Sequence, residues 1–352
     1  MKYVLPFHFV FEPMRRLAVI SFKGNKEFEG FEPQLFDDPI NGKGIRLLRY
    51  RKDRKVDVYY EEGVIPDQNL SIGAGINEMK MTYFEQKAFE ITEQGLQLHL
   101  SFTDSQGRKN ELRVIEKSTE KYPVPFLAPI GSVIEKPKKL LFVYLTDADF
   151  VYFKNTQINC SLGGQVLEVL ALPIIIKGHR TYMVRYCSEM STVALNSNGT
   201  NPLCFKGGPG KKVILGNTVV SCNERGKVEQ IQLGEGVHSA KLYFPEGFPN
   251  LLDLPEHQCI KGNFEIHISS DKITEGQYHL IRIGDKAHVE LNQFEKWKPR
   301  RYPMAYKLLF SFVSIFKRWP TYFRWKGIID LGDIPKMTGI WENKIDRKTK
   351  VI

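Results

Sequence analysis

A histidine and a carboxylate that share one face of a predicted β-hairpin are the first candidates for chemistry in this sequence. Gly284 and Asp285 form a two-residue loop of the type that closes hairpins, and this loop places His279 opposite Glu290. A carboxylate beside an imidazole orients the ring and raises its pKa, as general acid–base catalysis requires. The same pair on a solvent-facing sheet stabilises it only slightly. His267, on the preceding strand, is a further candidate.

Two aspartates in apolar surroundings are a second candidate. Asp147 and Asp149 alternate with apolar residues, so both point to the same face if this stretch is a strand. Paired carboxylates can share a proton and act in acid catalysis. The alternative is a solvent-exposed bend at the end of a strand.

Several well-known site motifs are missing. The five cysteines are widely spaced and form no C-x-x-C, and the sequence contains no H-E-x-x-H and no G-x-S-x-G. The glycine-rich stretch 207–212 does not have the spacing of a phosphate-binding loop. The sequence therefore predicts reduced thiols in a cytoplasmic protein, and no metal or cofactor.

The excess positive charge is concentrated in one segment near the C-terminus. Of the 50 Lys and Arg residues, nine lie between Lys296 and Lys326, where no Asp or Glu occurs, and the other 41 nearly balance the 40 acidic residues. Inside this segment the apolar stretch 304–317 predicts a helix, because Pro303 precedes it and Pro320 follows it. At about 21 Å this helix is too short to cross a bilayer.

Cations and aromatic rings flank the predicted helix at both ends, as they do in segments that lie at a membrane interface. The residues predicted to contact an anionic membrane surface are Trp297, Arg300, Arg301, Lys317, Arg318, Trp319, Arg324 and Trp325. One alternative is a helix buried against a β domain, with solvated cations around it. Single-stranded nucleic acid is the least favoured partner, since stacking platforms usually lie on a sheet face.

The rest of the chain predicts short antiparallel strands. Apolar and polar residues alternate over 96–103, a turn follows at 104–107, and 110–116 forms the return strand. Similar runs recur along the 352 residues, and no regular alternation of strand and helix is present. The pattern predicts a mostly β protein with two barrel- or sandwich-like lobes and one C-terminal helix. A loop rich in Asn, Pro and Gly favours domains of residues 1–196 and 197–352.

The chain resembles the double-lipocalin proteins, which include carotenoid hydratases and the AttH-like family. The resemblance rests on the all-β pattern, the length, and the Gly284–Asp285 hairpin followed by Trp297 and a basic stretch. It implies two antiparallel barrels and a hydrophobic ligand, such as a lipid or an isoprenoid. The Gly-x-Trp signature of simple lipocalins is absent from the N-terminal part, so no catalytic residue is transferred.

These observations predict a cytoplasmic protein, peripheral to a membrane, that binds a hydrophobic lipid-like or isoprenoid ligand; whether it also modifies the ligand stays open. Two alternatives remain: a sugar-active β-sandwich enzyme that uses the His–carboxylate pair, and a non-catalytic structural or interaction protein. A large apolar cavity favours the first function, a shallow cleft with convergent polar groups the second, and filled barrels the third.

Overall fold

The computed structural model confirms the predicted fold class. It describes residues 1–67, 70, 72–118, 121–129, 138–176, 178–236, 238–292, 304, 308, 311 and 322–344. Strands account for 67% of the described residues, and the sheets are antiparallel and include a curled half-barrel.

Twenty-seven strands are described. The first part of the chain contains β1 (Lys2–Leu5), β2 (Phe9–Met14), β3 (Arg16–Ser21), β4 (Phe28–Asp38), β5 (Gly42–Arg51), β6 (Val56–Tyr60), β7 (Ile76–Met81), β8 (Phe84–Thr92), β9 (Gly95–Thr103), β10 (Lys109–Glu116), β11 (Val124–Pro129), β12 (Leu140–Tyr152), β13 (Thr156–Leu162), β14 (Gln165–Val166), β15 (Ala171–Ile176), β16 (His179–Cys187) and β17 (Met190–Leu195). The second part contains β18 (Leu203–Lys206), β19 (Lys212–Leu215), β20 (Thr218–Cys222), β21 (Val228–Glu235), β22 (His238–Phe248), β23 (Ile260–Ile268), β24 (Asp271–Ile283), β25 (Lys286–Asn292), β26 (Tyr322–Asp330) and β27 (Lys336–Lys344), with a turn of 3₁₀ helix at Leu251–Asp253.

The described strands form four sheets. The large sheet has 11 strands, in the order β2-β17-β12-β16-β3-β4-β5-β6-β7, with β11 added on β12 and β15 on β16. The small sheet has five strands, β14-β13-β10-β9-β8, and the C-terminal sheet runs in sequence from β19 to β27. β1 pairs with β18, and β6 with β7 is the parallel exception among the described pairs.

The small sheet packs on one face of the large sheet. The predicted alternation over 96–103 is present in β9, whose inward residues Leu98, Leu100 and Phe102 are at most 1% exposed. They share a core with Phe31 and Leu47 of the large sheet. This two-layer packing stabilises both sheets, because each large apolar side chain removed from water contributes about 1.5–3 kcal/mol.

The large sheet curls so that β2, at one edge of the sheet, approaches β4. The residue after β2, Arg15, donates its backbone N–H to the carbonyl of Leu35 in β4 over 2.9 Å. Asn41 Nδ2 donates to the carbonyl of Pro13 in β2 over 3.1 Å. The curl leaves one face of the sheet turned inward, away from the small sheet.

The C-terminal sheet shares an apolar core with the N-terminal part. Phe7, Phe142 and Leu195 belong to the same buried cluster as Trp325 and Trp341 of β26 and β27. The division into domains at residues 196 and 197 therefore stays a prediction, although the strands of the large and small sheets all lie before residue 196.

The predicted helix over 304–317 falls mostly outside the described residues. Met304, Leu308 and Ser311 are described; each is helical and exposed. Within the part of the chain that the structure describes, no helix is long and apolar enough to span a membrane.

Candidate ligand cavity

The inward face of the large sheet encloses a cavity of about 610 Å³. Residues of β2, β3, β4, β5, β11, β12, β16 and β17 contribute to its walls, because the curl brings these strands around one space. Most of the lining side chains are apolar; they include Met14, Leu17, Val19, Phe36, Leu48, Ile72, Val124, Phe126, Leu141, Val143, Leu145, Phe150 and Met190.

Strand β4 shows how the sequence lines two compartments at once. Phe31 belongs to the core under the small sheet, whereas Glu32, Gln34 and Phe36 line the cavity. Successive side chains of a strand point to opposite faces, so a strand buried on both sides presents one set of residues to each. The even-numbered residues of this strand therefore place polar groups inside the half-barrel.

Glu32 is the centre of a polar cluster in the cavity wall. Tyr50 donates its hydroxyl to Glu32 Oε2 over 2.7 Å, and Gln34 Nε2 donates to Glu32 Oε1 over 2.7 Å. Arg46 Nε donates in turn to Gln34 Oε1 over 2.6 Å. The Arg46 guanidinium lies 4.7 Å from the centre of the Phe36 ring, which supports it by a cation–π contact.

Arg185 projects into the same cavity from the middle of β16. Its backbone neighbours across the sheet are Phe150 in β12 and Val19 in β3, both of which also line the cavity. The Nε atom of Arg185 is buried and has no hydrogen-bond partner among the described residues. The described residues form no ion pair with this guanidinium either. The groups that act on it electrostatically are Glu32 and Tyr50.

Burial dominates the electrostatics of the cluster. It raises the pKa of Glu32, although the hydrogen bonds from Tyr50 and Gln34 oppose this. It lowers the pKa of Arg46 and of Arg185, and the carboxylate of Glu32 opposes this change in both. An arginine pKa is so far above neutrality that both guanidiniums stay charged. The cavity therefore contains cationic donors within an apolar wall.

The cavity communicates with solvent. Glu12, Glu29 and Asp67 line it and are also exposed, so they form a polar rim. A ligand that enters at this rim meets apolar walls and the charged cluster inside.

Of the two predicted aspartates, only Asp149 lines the cavity. Its Oδ2 accepts from the Tyr122 backbone N–H over 3.1 Å, and burial raises its pKa despite the charge of Lys121. Asp147 accepts from the backbone N–H of Ser188 over 2.8 Å. Strand β12 pairs with β17 up to Leu145 and with β16 from Asp149 onward. Asp147 lies where the partner changes and Asp149 lies beyond it, so the two carboxyl groups have different surroundings.

The predicted hairpin register is present, with His279 opposite Glu290. The carboxylate of Glu290, however, accepts hydrogen bonds from Asn292 Nδ2 over 2.6 Å and pairs with Arg324 Nη2 over 2.5 Å. Burial by itself raises the pKa of Glu290, but these contacts outweigh it and lower the pKa. Neither His279 nor Glu290 lines the cavity, since both belong to the C-terminal sheet, where they alternate with core-facing residues.

His267 does not join this pair. Its ring contacts Glu265 Oε2 over 2.7 Å, and Lys272 Nζ donates to the other oxygen of Glu265. Lys261 is the residue of β23 that lies opposite His279. Six residues of strand separate His267 from that position, which corresponds to about 20 Å.

Most residues predicted to contact a membrane fall outside the described residues: Trp297, Arg300, Arg301, Lys317, Arg318 and Trp319. Arg324 is described, and its charge is paired with Glu290 on the C-terminal sheet.

The burial of Trp325 contradicts the prediction that this residue contacts a membrane surface. The residue is 1% exposed and lies in the shared core, because the alternation of β26 turns it inward. Its ring covers the backbone of Gly327 and Gly339, where an added Cβ would come within 2.1 and 2.5 Å of ring atoms. The indole is therefore a core element and not a membrane anchor.

The residues that build the cavity cluster were not identified in the sequence. Glu32, Arg46, Tyr50 and Arg185 lie in strands with apolar residues on both faces, so period-2 alternation did not separate them from solvent-facing charges. The one available signal is a lone arginine within a short, mostly apolar run, Tyr182–Cys187.

The described residues contain no group of three or more His, Cys, Asp or Glu side chains arranged to hold a metal ion. Comparison of the chain with protein-family models, with curated proteins and with solved structures finds no match.

Proposed function

We propose that this protein binds a hydrophobic, lipid-like small molecule in the cavity of its curled sheet. The observation that carries the proposal is the size and character of the cavity, about 610 Å³ with mostly apolar walls. Small-molecule sites have volumes of about 300–1,000 Å³, apolar linings and a few placed polar groups. An isoprenoid and a fatty acyl chain both belong to this class of ligand.

The geometry favours this function over the two alternatives from the sequence. A structural protein needs no open space, and filling the half-barrel with larger side chains would gain apolar burial. A sugar-active enzyme requires its His–carboxylate pair at the substrate, whereas His279 and Glu290 lie on the outer face of another sheet. The lowered pKa of Glu290 also makes it a poor proton donor at neutral pH.

Binding of an uncharged fluorescent dye, N-phenyl-1-naphthylamine, tests the proposal without assuming a headgroup. We expect saturable binding with enhanced fluorescence, and displacement by dodecanol below its solubility limit. Val143 lines the cavity and is 8% exposed, so Val143→Trp fills the space and should abolish binding. Val166→Trp is the matched control, because Val166 is 74% exposed on the small sheet.

The proposal fails if the wild-type protein binds neither dye nor dodecanol. It also fails if Val143→Trp, with a circular dichroism spectrum like that of the control, binds both as wild type does.

Contact with an anionic membrane surface and a cytoplasmic location stay predictions. The segment on which the membrane prediction rests lies almost wholly outside the described residues.

A further inference from the structure

The guanidinium of Arg185 has hydrogen-bonding capacity that the protein does not use. A guanidinium carries five N–H donors, and leaving a buried donor without an acceptor is costly. The Nε donor of Arg185 is buried and lacks a partner among the described residues, although the side chain keeps some accessible surface. Because Arg185 lines the cavity, that surface faces the ligand space.

The carboxylate of Glu32 acts on Arg185 electrostatically but does not accept a hydrogen bond from its Nε. Both oxygens of Glu32 accept hydrogen bonds from other groups, Oε1 from Gln34 and Oε2 from Tyr50. The negative charge of Glu32 is also divided between two guanidiniums, since it acts on Arg46 as well as on Arg185. Arg46 has further acidic neighbours at the rim, Glu12 and Asp67, whereas Arg185 does not.

The surroundings of Arg185 select the rest of the ligand. Val19 and Phe150 flank it across the sheet, and Leu17 and Val143 also line the cavity. An acceptor that reaches the guanidinium must therefore be attached to an apolar body that covers these walls. In such surroundings a charge-assisted hydrogen bond is stronger than in water.

We infer that Arg185 binds the carboxylate of a lipid-like monocarboxylate whose hydrocarbon part occupies the cavity; this assignment rests on the proposed function. A carboxylate matches the fork of the guanidinium with two parallel hydrogen bonds. A phosphate monoester carries a charge of about −1.5 to −2 at neutral pH. Transferring that larger charge from water into a mostly apolar cavity costs more than transferring a single charge, and the carboxylate of Glu32 adds repulsion.

Displacement of N-phenyl-1-naphthylamine by three ligands that share a dodecyl-length hydrocarbon chain and differ in headgroup tests the inference. Dodecanoate, dodecanol and dodecyl phosphate are titrated at about pH 7, where the carboxylate is ionised, and below their micelle-forming concentrations. Wild type should bind dodecanoate at least about tenfold more tightly than dodecanol, as expected for hydrogen bonds to a charged group. Dodecyl phosphate should bind more weakly than dodecanoate.

Substitution of Arg185 distinguishes recognition of the ligand's headgroup from binding of its hydrocarbon chain. Arg185→Met should reduce the preference for dodecanoate over dodecanol to less than about threefold while dye binding persists, because the apolar walls remain. Arg180→Met is the matched control: Arg180 lies on the same strand, is exposed and does not line the cavity. It should keep the wild-type preference.

Glu32→Gln provides a second variant in case Arg185→Met does not fold. Removing the negative charge beside Arg185 should tighten dodecanoate binding severalfold and leave dodecanol unchanged. Unchanged or weaker dodecanoate binding would contradict the inference.

The outcomes distinguish the inference from the proposed function. Equal binding of dodecanoate and dodecanol by wild type overturns the role of Arg185 but leaves lipid binding intact. Tighter binding of dodecyl phosphate overturns the assignment of a carboxylate. Absence of dye, dodecanol and dodecanoate binding overturns the proposed function itself.

Discussion

Two arginines in the large sheet, Arg49 in β5 and Arg185 in β16, have opposite surroundings. Arg49 is 1% exposed, and its Nε donates to Asp57 Oδ2 over 2.9 Å. Its Nη1 donates to Asp104 Oδ2 over 2.9 Å and its Nη2 to the Tyr59 hydroxyl over 2.7 Å. Arg185 makes no comparable contact among the described residues and faces a cavity.

This difference indicates a structural role for the charge of Arg49 and a ligand-binding role for that of Arg185. Every edge of the Arg49 guanidinium meets an acceptor, and its face lies 4.3 Å from the centre of the Phe28 ring. Such a saturated guanidinium joins the two layers of the sandwich, because Asp104 lies just after β9 of the small sheet. An arginine with unused donors beside a cavity is instead suited to bind something that arrives from outside.

Replacing Arg49 should have the largest effect on stability. Arg49→Met leaves Asp57 and Asp104 buried without their main counter-charge, which typically costs about 3–5 kcal/mol. Urea unfolding followed by circular dichroism measures this loss. Arg180→Met, at an exposed position, should remain within about 0.5 kcal/mol of wild type. A loss below about 1 kcal/mol for Arg49→Met would show that the network does not hold the layers together.

The same network should make stability depend on acid pH. Burial by itself raises the pKa of Asp104, but hydrogen bonds from Arg49 and Arg108 outweigh it and lower the pKa to about 2. A lowered carboxyl pKa stabilises the fold fully above the unfolded value of about 3.9, and this contribution is lost as the pH falls through about 2. The difference in free energy of unfolding between wild type and Asp104→Asn should therefore decrease as the pH falls from about 4 to about 2.

Urea midpoints between about pH 5 and pH 2 measure this gap. Glu168→Gln, in an exposed ion pair with Lys23, serves as the control, and its difference from wild type should stay small throughout. A gap that is constant with pH would mean that Asp104 does not titrate as a paired buried acid.

Replacing Arg185 should have the smallest effect on stability. Arg185→Met removes a buried charge that has no hydrogen bond at Nε to lose, so the free energy of unfolding should stay within about 1 kcal/mol of wild type or increase. The same urea titration provides the measurement. A loss as large as that of Arg49→Met would assign Arg185 a structural role and weaken the comparison.

Local features of the fold could be predicted from the sequence because they depend on neighbours in the chain. Alternation marked β9 and β10, and the Gly284–Asp285 turn gave the register that pairs His279 with Glu290. A two-residue turn fixes which residues of a hairpin lie opposite each other. The residue types alone did not determine whether that pair faces a ligand.

The basic segment shows the limit of grouping residues by sequence position. The sequence pattern groups Trp325 with the cations around it, yet β26 turns it into the core and leaves Lys326 exposed. Adjacent residues of a strand face opposite sides of a sheet, so nearness in sequence does not imply a shared surface.

The amino-acid sequence by itself determined that this protein is β-rich, where many of its strands lie, and how neighbouring strands form hairpins. Tertiary structure alone decided which arginine is saturated and which lines a cavity. Arg49 and Arg185 both occur in strands that mix apolar and basic residues, and pairings between distant strands, such as β16 with β3 and β17 with β2, build the large sheet. These pairings depend on how whole faces pack, so they placed Arg185 beside open space and Arg49 between two carboxylates.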